Sequence, residues 1–211
     1  MRVIFLAPFL FLSTAAFAAP QKRGENGDFD VNRKTSPPAR AAQNHGHAAQ
    51  TSGAEESNAD YFWRRADHAF ERGDYKRAIG LHKAIVALNP ADVESFGVAA
   101  WLMWSLGNGD TARAHLLRGL MANSDNPEMW NEAGQHADLQ KRFADARDSY
   151  LTALDLTPKT DDTQLLRRRL AHAAQKSGDL DLSLETWRGL VRDFPNDAVS
   201  KNNLARVEKL L

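Results

Sequence analysis

The sequence contains no cysteine, and its charges balance, with 27 Lys and Arg residues against 27 Asp and Glu residues in 211. The absence of cysteine excludes disulfides, thiolate metal sites, cysteine nucleophiles and a lipid-modified N-terminal cysteine. A net charge of zero argues against a dedicated nucleic-acid binder, because such proteins usually carry a basic excess that neutralises phosphates.

Catalytic motifs are missing as well. The chain has no His-Glu-x-x-His, no Gly-x-Ser-x-Gly and no glycine-rich phosphate loop. His45 and His47 have no third or fourth ligand nearby, so we interpret them as solvated. The other histidines are scattered over different predicted helices: His68, His82, His115, His136 and His172. We therefore predict no catalytic residue, no metal and no cofactor, although an enzyme assembled from distant residues stays an alternative.

The first 18 residues have the pattern of a secretory signal peptide. Arg2 precedes an apolar run from Val3 to Leu12 that is too short to span a bilayer, and small residues then lead to Ala16-Phe17-Ala18. Cleavage there leaves a mature chain that begins at Ala19. We expect a periplasmic or extracellular location; an uncleaved anchor or a buried helix is the alternative.

Residues 19–56 have almost no large apolar side chains, Phe29 and Val31 being isolated examples. Such a segment buries too little surface to offset the entropy lost on ordering, so we predict a disordered tether.

From Ser57 the composition changes, and apolar residues recur at helical spacing after a capping-box sequence, Ser57 to Asp60. A first series of small residues recurs at intervals of 34, 34 and 37: Ala66, Ala100, Gly134 and Ala171. A second series follows it: Ala78, Ala114, Ala146 and Ser183. Turn signals separate the two series, at Gly73-Asp74, Gly107-Asn108, Lys141-Arg142 and Gly178-Asp179, and prolines end the units at Pro90, Pro127, Pro158 and Pro195.

Each unit is therefore predicted to be a helix, a short turn, a second helix and a proline. A small residue in each helix lets the two axes approach closely, and proline cannot continue a helix. Because one hairpin cannot bury its apolar face alone, neighbouring hairpins must stack. The large residues predicted to fill the stack are Phe62, Phe70, Ile85, Val86, Phe96, Met121, Trp130, Tyr150, Leu154, Trp187, Leu190 and Val191.

Residues 59–197 resemble the tetratricopeptide repeat family. The third unit matches that pattern best, through Trp130, Gly134, Phe143, Ala146, Tyr150, Ala153 and Pro158. The second unit departs most, because its turn is predicted to be two residues longer and Pro127 falls at the start of the next helix. The resemblance implies an all-α, right-handed superhelical stack over residues 57–211. Its units are 59–92, 93–126, 127–160 and 164–197, followed by a capping helix at 198–211 for which Asp197 is the predicted N-cap.

The resemblance also implies a concave groove lined by the first helix of each hairpin. We predict that a partner binds there to Trp63, Asp67, Trp101, Trp104, Asn131, Gln135, Arg168 and His172. Phe70, Gly97, Asp138 and Gln175 occupy equivalent positions. Trp101 and Trp104 are alternatively core residues, with the groove favoured for Trp101. Arg168 is expected to contribute less to binding if it lies at a solvated rim. Trp63 and Asp67 stand where some family members use Lys and Asn to grip a terminal carboxylate, so we predict no such clamp.

These features together predict a scaffold or adaptor that binds a protein or peptide outside the cytoplasm and is not an enzyme. One alternative is a self-associating structural protein that pairs through Leu210 and Leu211 or through the convex face. Another is a non-catalytic accessory subunit or carbohydrate binder that uses the groove tryptophans.

Overall fold

The computed structural model describes residues 57–158 and 162–211. Within these residues the chain forms nine α-helices and no strand: α1 (Asn58–Glu71), α2 (Tyr75–Leu88), α3 (Val93–Ser105), α4 (Gly109–Ala122), α5 (Pro127–Leu139), α6 (Phe143–Leu156), α7 (Gln164–Ser177), α8 (Leu180–Asp193) and α9 (Ala198–Glu208). The predicted signal peptide and tether lie outside the described residues. None of the helices described is long and apolar enough to cross a bilayer.

Consecutive helices pack against each other along the described chain, and α3 also contacts α5. Four hairpins result, α1–α2, α3–α4, α5–α6 and α7–α8, and α9 packs on the last of them. The predicted all-α stack of helical hairpins with a C-terminal helix is therefore confirmed.

Polar side chains at the helix starts explain where the helices begin. The N-cap side chains accept hydrogen bonds from backbone N–H groups of the first turn, which have no partner within the helix. The residues that do so are Ser57, Asp74, Asp92, Asn126, Asp179 and Asp197. The predicted caps at Ser57 and Asp197 are confirmed, and Pro127 lies in the first turn of α5 as predicted.

The turn inside each hairpin contains one residue with a left-handed backbone. Gly73, Gly107 and Gly178 have φ angles of 74°, 84° and 89°, and Lys141 takes the same place in the third hairpin with φ of 59°. Glycine is favoured there because it has no Cβ to clash with the backbone. The third hairpin therefore has the same turn geometry, although a lysine stands at the position that glycine holds in the other three hairpins.

The second hairpin is regular, and the predicted longer turn is wrong. Three residues separate α3 from α4, as three separate α1 from α2. In this register the residue of α4 equivalent to Ala78 is the buried Ala112, which lies 34 residues from both Ala78 and Ala146. Ala114, which we predicted in that role, is exposed.

Buried residues between successive helices form the core. Trp187 and Tyr150 are its largest fully buried side chains, and both were predicted to fill the stack. Met121 is a wrong assignment, because its side chain is 85% exposed on α4. Leu116 of α4 and Met129 of α5 instead pack with Phe96 of α3, between the second and third hairpins.

Candidate functional site

Side chains of α1, α3, α5, α7 and α9 contact one another from each of these helices to the next. We call this row the first-helix face. Its members are Phe70, Gly97, Trp101, Asn131, Glu132, Asp138, Arg169, Gln175, Lys176 and Arg206, with the predicted groove residues Asp67, Gln135 and His172 beside them. The Phe70 and Trp101 ring centroids are 6.4 Å apart, and a methyl group on Gly97 would lie 2.6 Å from Glu132 Oε2.

The same row continues from α5 to α9 through polar groups. Arg169 Nη1 donates to Asn131 Oδ1 at 2.8 Å, and Lys176 Nζ lies 3.9 Å from Asp138 Oδ1. Arg206 Nη2 donates to Gln175 Oε1 at 3.4 Å. The face is therefore aromatic over α1 and α3 and polar over α5, α7 and α9.

Two of the predicted groove residues connect hairpins to each other. Trp63 Nε1 donates to Asp92 Oδ2 at 3.0 Å, and Arg168 Nη2 donates to Asp197 Oδ2 at 2.6 Å. Each acceptor is also the N-cap of the following first helix, α3 or α9, and each lies 29 residues after its donor. The condition of a solvated rim is therefore not met for Arg168, because its charge is paired with a carboxylate whose side chain is only 12% exposed.

The hydrogen bonds on Asp197 also determine its titration. The pKa of Asp197 is lowered to about 2, first by the Ser200 hydroxyl group and then by Arg168 and the backbone N–H of Val199. The carboxylate therefore stays charged at neutral pH and holds both the α9 N-terminus and the Arg168 side chain.

Trp101 and Trp104 are half-buried. Each therefore has features of both alternatives that the sequence left open, a groove residue and a core residue. Trp101 packs beside the buried cluster of Ala69, Ala78 and Leu102, and Trp104 packs against the core of the second hairpin. Trp104 also borders a shallow depression at the hairpin turns, where Gln140 Nε2 donates to the Gly109 carbonyl. Each indole thus has one packed side and one accessible side.

The remaining predicted residues differ in accessibility. Asp67 is exposed on α1, whereas Asn131 is only 8% exposed and accepts the Arg169 hydrogen bond. Gln135 is half-buried and donates to Glu132 Oε1 at 3.1 Å. Asn131 therefore positions Arg169 and offers little surface to a partner, while Asp67 and Gln135 are accessible.

His172 lies at the polar end of the row, with its ring edge-on to Trp187 at a centroid distance of 5.0 Å. Burial lowers the pKa of His172 to about 4, and the nearby charges of Arg206 and Lys176 contribute to that lowering. The ring is consequently neutral at physiological pH, and the cations around it provide the positive charge of this end.

Sequence reasoning did not find Asp92, Arg169, Lys176 or Arg206. The available signal was positional: Asp92 and Asp197 both immediately precede a first helix, and Arg169 follows the predicted Arg168.

Among the described residues no group of three His, Asp or Glu side chains is placed to hold a metal ion.

Comparison with known proteins agrees with this architecture. Residues 69–131 match the tetratricopeptide repeat family. No curated protein sequence matches the chain.

Several solved structures share the fold. A crystal structure of MamA protein is 15% identical with a TM-score of 0.56, over 72% of this chain and 81% of that one. A thermophilic TPR protein of Thermus thermophilus is 20% identical with a TM-score of 0.53, over 74% and 83%. The structure of Naa15/Naa10 bound to HypK-THB is 20% identical with a TM-score of 0.56, over 73% of this chain but only 23% of that one. The repeat match and these neighbours support a tetratricopeptide repeat protein, a fold that suggests a protein–protein interaction scaffold.

Proposed function

We propose that this chain is an exported, non-catalytic scaffold that holds a segment of another protein against the first-helix face. The observation that carries the proposal is the continuity of that face, from the Phe70–Trp101 pair to the Gln175–Arg206 pair. Half-buried tryptophans beside accessible polar groups are typical of binding surfaces, because an aromatic side chain anchors the partner and polar neighbours orient it.

Site-specific photocrosslinking tests the binding surface. A photoreactive amino acid is placed at Asp67 or Gln135 on the first-helix face, and at Arg113 or Glu185 on exposed positions of α4 and α8 as controls. We expect adducts of defined mass from the first two positions in the source cells. Adducts that form only from the control positions would contradict the assignment of the surface.

Affinity for the crosslinked partner then tests Trp101. Because one side of the indole is accessible, truncation to Ala is expected to weaken binding by about 2 kcal/mol or more. Trp101→Leu keeps an apolar side chain beside Phe70 and serves as the stability control, with thermal unfolding measured for both variants. Unchanged affinity in Trp101→Ala would remove this residue from the binding surface.

The proposed export rests on Arg2, the short apolar run that follows and the Ala16-Phe17-Ala18 pattern. We expect mass analysis of protein purified from its source to find a mature N-terminus at Ala19. A native protein that retains Met1 would contradict the proposal.

Self-association is a second candidate, favoured by an apolar stripe on α4. Leu117 and Met121, one helical turn apart, are 49% and 85% exposed, and Ala114 lies on the same side. Sedimentation velocity tests this candidate with the wild-type chain and the double variant Leu117→Lys, Met121→Lys. A concentration-dependent dimer that the double variant abolishes would support it, and a wild-type monomer at all concentrations would reject it.

A further inference from the structure

Three cations converge at the α7 and α9 end of the first-helix face. Arg169 and Lys176 lie two turns apart on α7, and Arg206 reaches Gln175 of α7 from α9. Lys176 and Arg206 both act on the His172 ring, and Arg169 and Lys176 both act on the Asp138 carboxylate, so the three charges are close neighbours.

The arginines of this cluster are bonded to neutral groups. Arg169 donates to the Asn131 amide oxygen, and Arg206 donates to the amide oxygens of Gln175 and Asn203 at 3.4 and 2.8 Å. In the described part of the chain neither guanidinium is paired with a carboxylate. Other arginines of the described chain do form such pairs: Arg142–Asp145, Arg147–Asp148, Arg167–Asp193, Arg168–Asp197 and Arg188–Glu208.

The cluster contains the carboxylate of Asp138. Asp138 lies 3.9 Å from Lys176, and one of its buried oxygen atoms has no hydrogen-bond partner. Burial raises the pKa of Asp138, and Lys176 and Arg169 oppose that effect. Lys176 Nζ also lies 4.9 Å above the Phe143 ring. The three cations therefore outnumber the two carboxylates of α5 beside them, Asp138 and Glu132.

The opposite end of the face carries charges of both signs. Asp60, Asp67 and Glu71 are exposed on α1 together with Arg64, and Glu94 lies in the first turn of α3. Carboxylates of a ligand are therefore attracted at α7 and α9, where the three cations lie together, more than at α1. Charge concentrated at one end of a face favours one direction of a bound segment.

We propose that the α7–α9 end of the first-helix face binds an acidic peptide segment, whose side-chain carboxylates pair with Arg169, Lys176 and Arg206. This inference rests on the proposed function and specifies the chemistry of the partner. Arginine forks bind carboxylates through two parallel hydrogen bonds, and the amide partners leave further N–H donors of each guanidinium for that purpose. The net charge of zero disfavours a nucleic acid, whose binders usually carry a basic excess.

Fluorescence anisotropy with defined peptides tests the proposal. The probes are labelled, C-terminally amidated peptides of four Glu-Ala-Leu repeats, with four Gln-Ala-Leu repeats as the neutral match. Amidation removes the terminal carboxylate, so any preference reports side-chain charge. The wild-type chain is expected to bind the Glu peptide about tenfold more tightly than the Gln peptide, a preference that shrinks as salt is raised.

A matched pair of triple variants locates the effect. Arg169→Gln, Lys176→Gln and Arg206→Gln together are expected to abolish the preference. Lys83→Gln, Arg113→Gln and Arg118→Gln remove the same charge from exposed positions on α2 and α4 and should preserve it. Circular dichroism confirms that both triple variants are folded, and Arg206→Lys, which keeps the charge, should retain most of the preference.

Several outcomes would overturn the inference. These are equal binding of the two peptides, no binding of the Glu peptide, or loss of its preference only in the α2 and α4 triple variant. Tighter binding of an oligothymidine through the same three cations would identify a nucleic acid, and not an acidic peptide, as the ligand.

If crosslinking from Gln135 identifies a partner whose contacting segment is not acidic, this inference fails and the proposed scaffold function stands. If crosslinks arise only from the control positions, the scaffold surface itself fails.

Discussion

Gly134 of α5 faces Tyr150 of α6, and the Tyr150 ring occupies the space that a side chain at this position would need. A Cβ atom on Gly134 would lie 2.5 Å from Tyr150 Cε1 and 2.7 Å from Cδ1. Tyr150 is only 1% exposed, so its ring has no solvent-filled space into which to move. A residue without a side chain is therefore required here by packing, and not by backbone conformation.

Replacement of Gly134 by Leu is expected to destabilise the fold by about 1–3 kcal/mol or more, because overpacking forces neighbouring side chains and backbone to shift. Thermal unfolding followed by circular dichroism measures the loss.

Gly80 supplies the control for this substitution. It lies inside α2, and a Cβ there would meet no atom within 4 Å. Gly80→Ala is therefore expected to stabilise the chain by up to about 1 kcal/mol through helix propensity alone. An unchanged melting temperature for Gly134→Leu would mean that Tyr150 does not hold this position in solution.

At the scale of the elements, the N-cap aspartates of α3 and α9 each perform two tasks. Asp92 caps α3 and accepts the Trp63 indole N–H, and Asp197 caps α9 and accepts the Arg168 guanidinium. The start of one helix is thereby tied to the first helix of the preceding hairpin. Loss of either aspartate removes a cap and a link between hairpins together.

A double-mutant cycle on Arg168 and Asp197 separates the two tasks. Arg168→Met removes only the link, whereas Asp197→Ala also removes the cap, which is typically worth about 1 kcal/mol. We expect a coupling free energy of about 0.5–3 kcal/mol between the two positions, measured by urea unfolding.

The equivalent cycle on Trp63→Phe and Asp92→Ala tests the same arrangement at the other end of the stack. Additive effects in both cycles would show that the paired geometry contributes nothing to stability. Additivity at Arg168 together with a loss of partner binding in Arg168→Met would support the prediction that Arg168 is a groove residue.

The helices, their pairing into hairpins and the details of the third hairpin were predictable from the sequence. The apolar periodicity, the two series of small residues and the helix-ending prolines all indicate the same helices there. The register of α4 was not. Ala112 and Ala114 are equally small, and Gly107 and Gly109 both resemble turn glycines, so the local residue types alone did not decide the register. The 34-residue spacing of Ala78, Ala112 and Ala146 was the discriminating signal.

The candidate site was predictable in position but not in role. The predicted residues do lie on the first helices, yet Trp63 and Arg168 bond to aspartates that follow them by 29 residues. Such a partner is invisible to helical periodicity, which relates only residues within one helix. The hydrogen bond of Arg169 was likewise not predictable, because its partner Asn131 lies 38 residues earlier in the sequence.

At the scale of the whole molecule, three buried histidines make stability depend on pH. His82, His115 and His136 lie in α2, α4 and α5, and burial is the main reason that each pKa falls from 6.5 to about 4. The His82 ring contacts the Ser95 hydroxyl group at 3.1 Å, and the His115 ring packs against Phe96 at 5.0 Å. All three are neutral in the folded protein at neutral pH.

Between pH 6.5 and pH 4 the unfolded chain binds protons that the folded chain excludes, so the free energy of unfolding falls as the pH is lowered through this range. Each histidine is expected to contribute on the order of 2–3 kcal/mol to the loss at pH 4. Urea midpoints measured across the range report the effect.

His115→Leu is expected to flatten this pH dependence, since the variant has one buried group fewer to protonate. Gly80→Ala again provides the control, because it shifts stability without adding or removing a titrating group. A variant His115→Leu with the same pH slope as the wild type would show that His115 does not titrate between the folded and unfolded states.

The double use of Asp92 and Asp197 has a consequence for how such an array can be rearranged. A hairpin whose first helix supplies a donor, Trp63 or Arg168, is complete only when the next module begins with an aspartate. Both acceptors are N-cap aspartates that lie 29 residues after their donors, so a chimera that joins the first hairpin directly to α9 is expected to keep a matched donor and acceptor. Duplication or deletion of modules at these two junctions is expected to preserve the linkage, whereas a cut between a donor and its aspartate removes it.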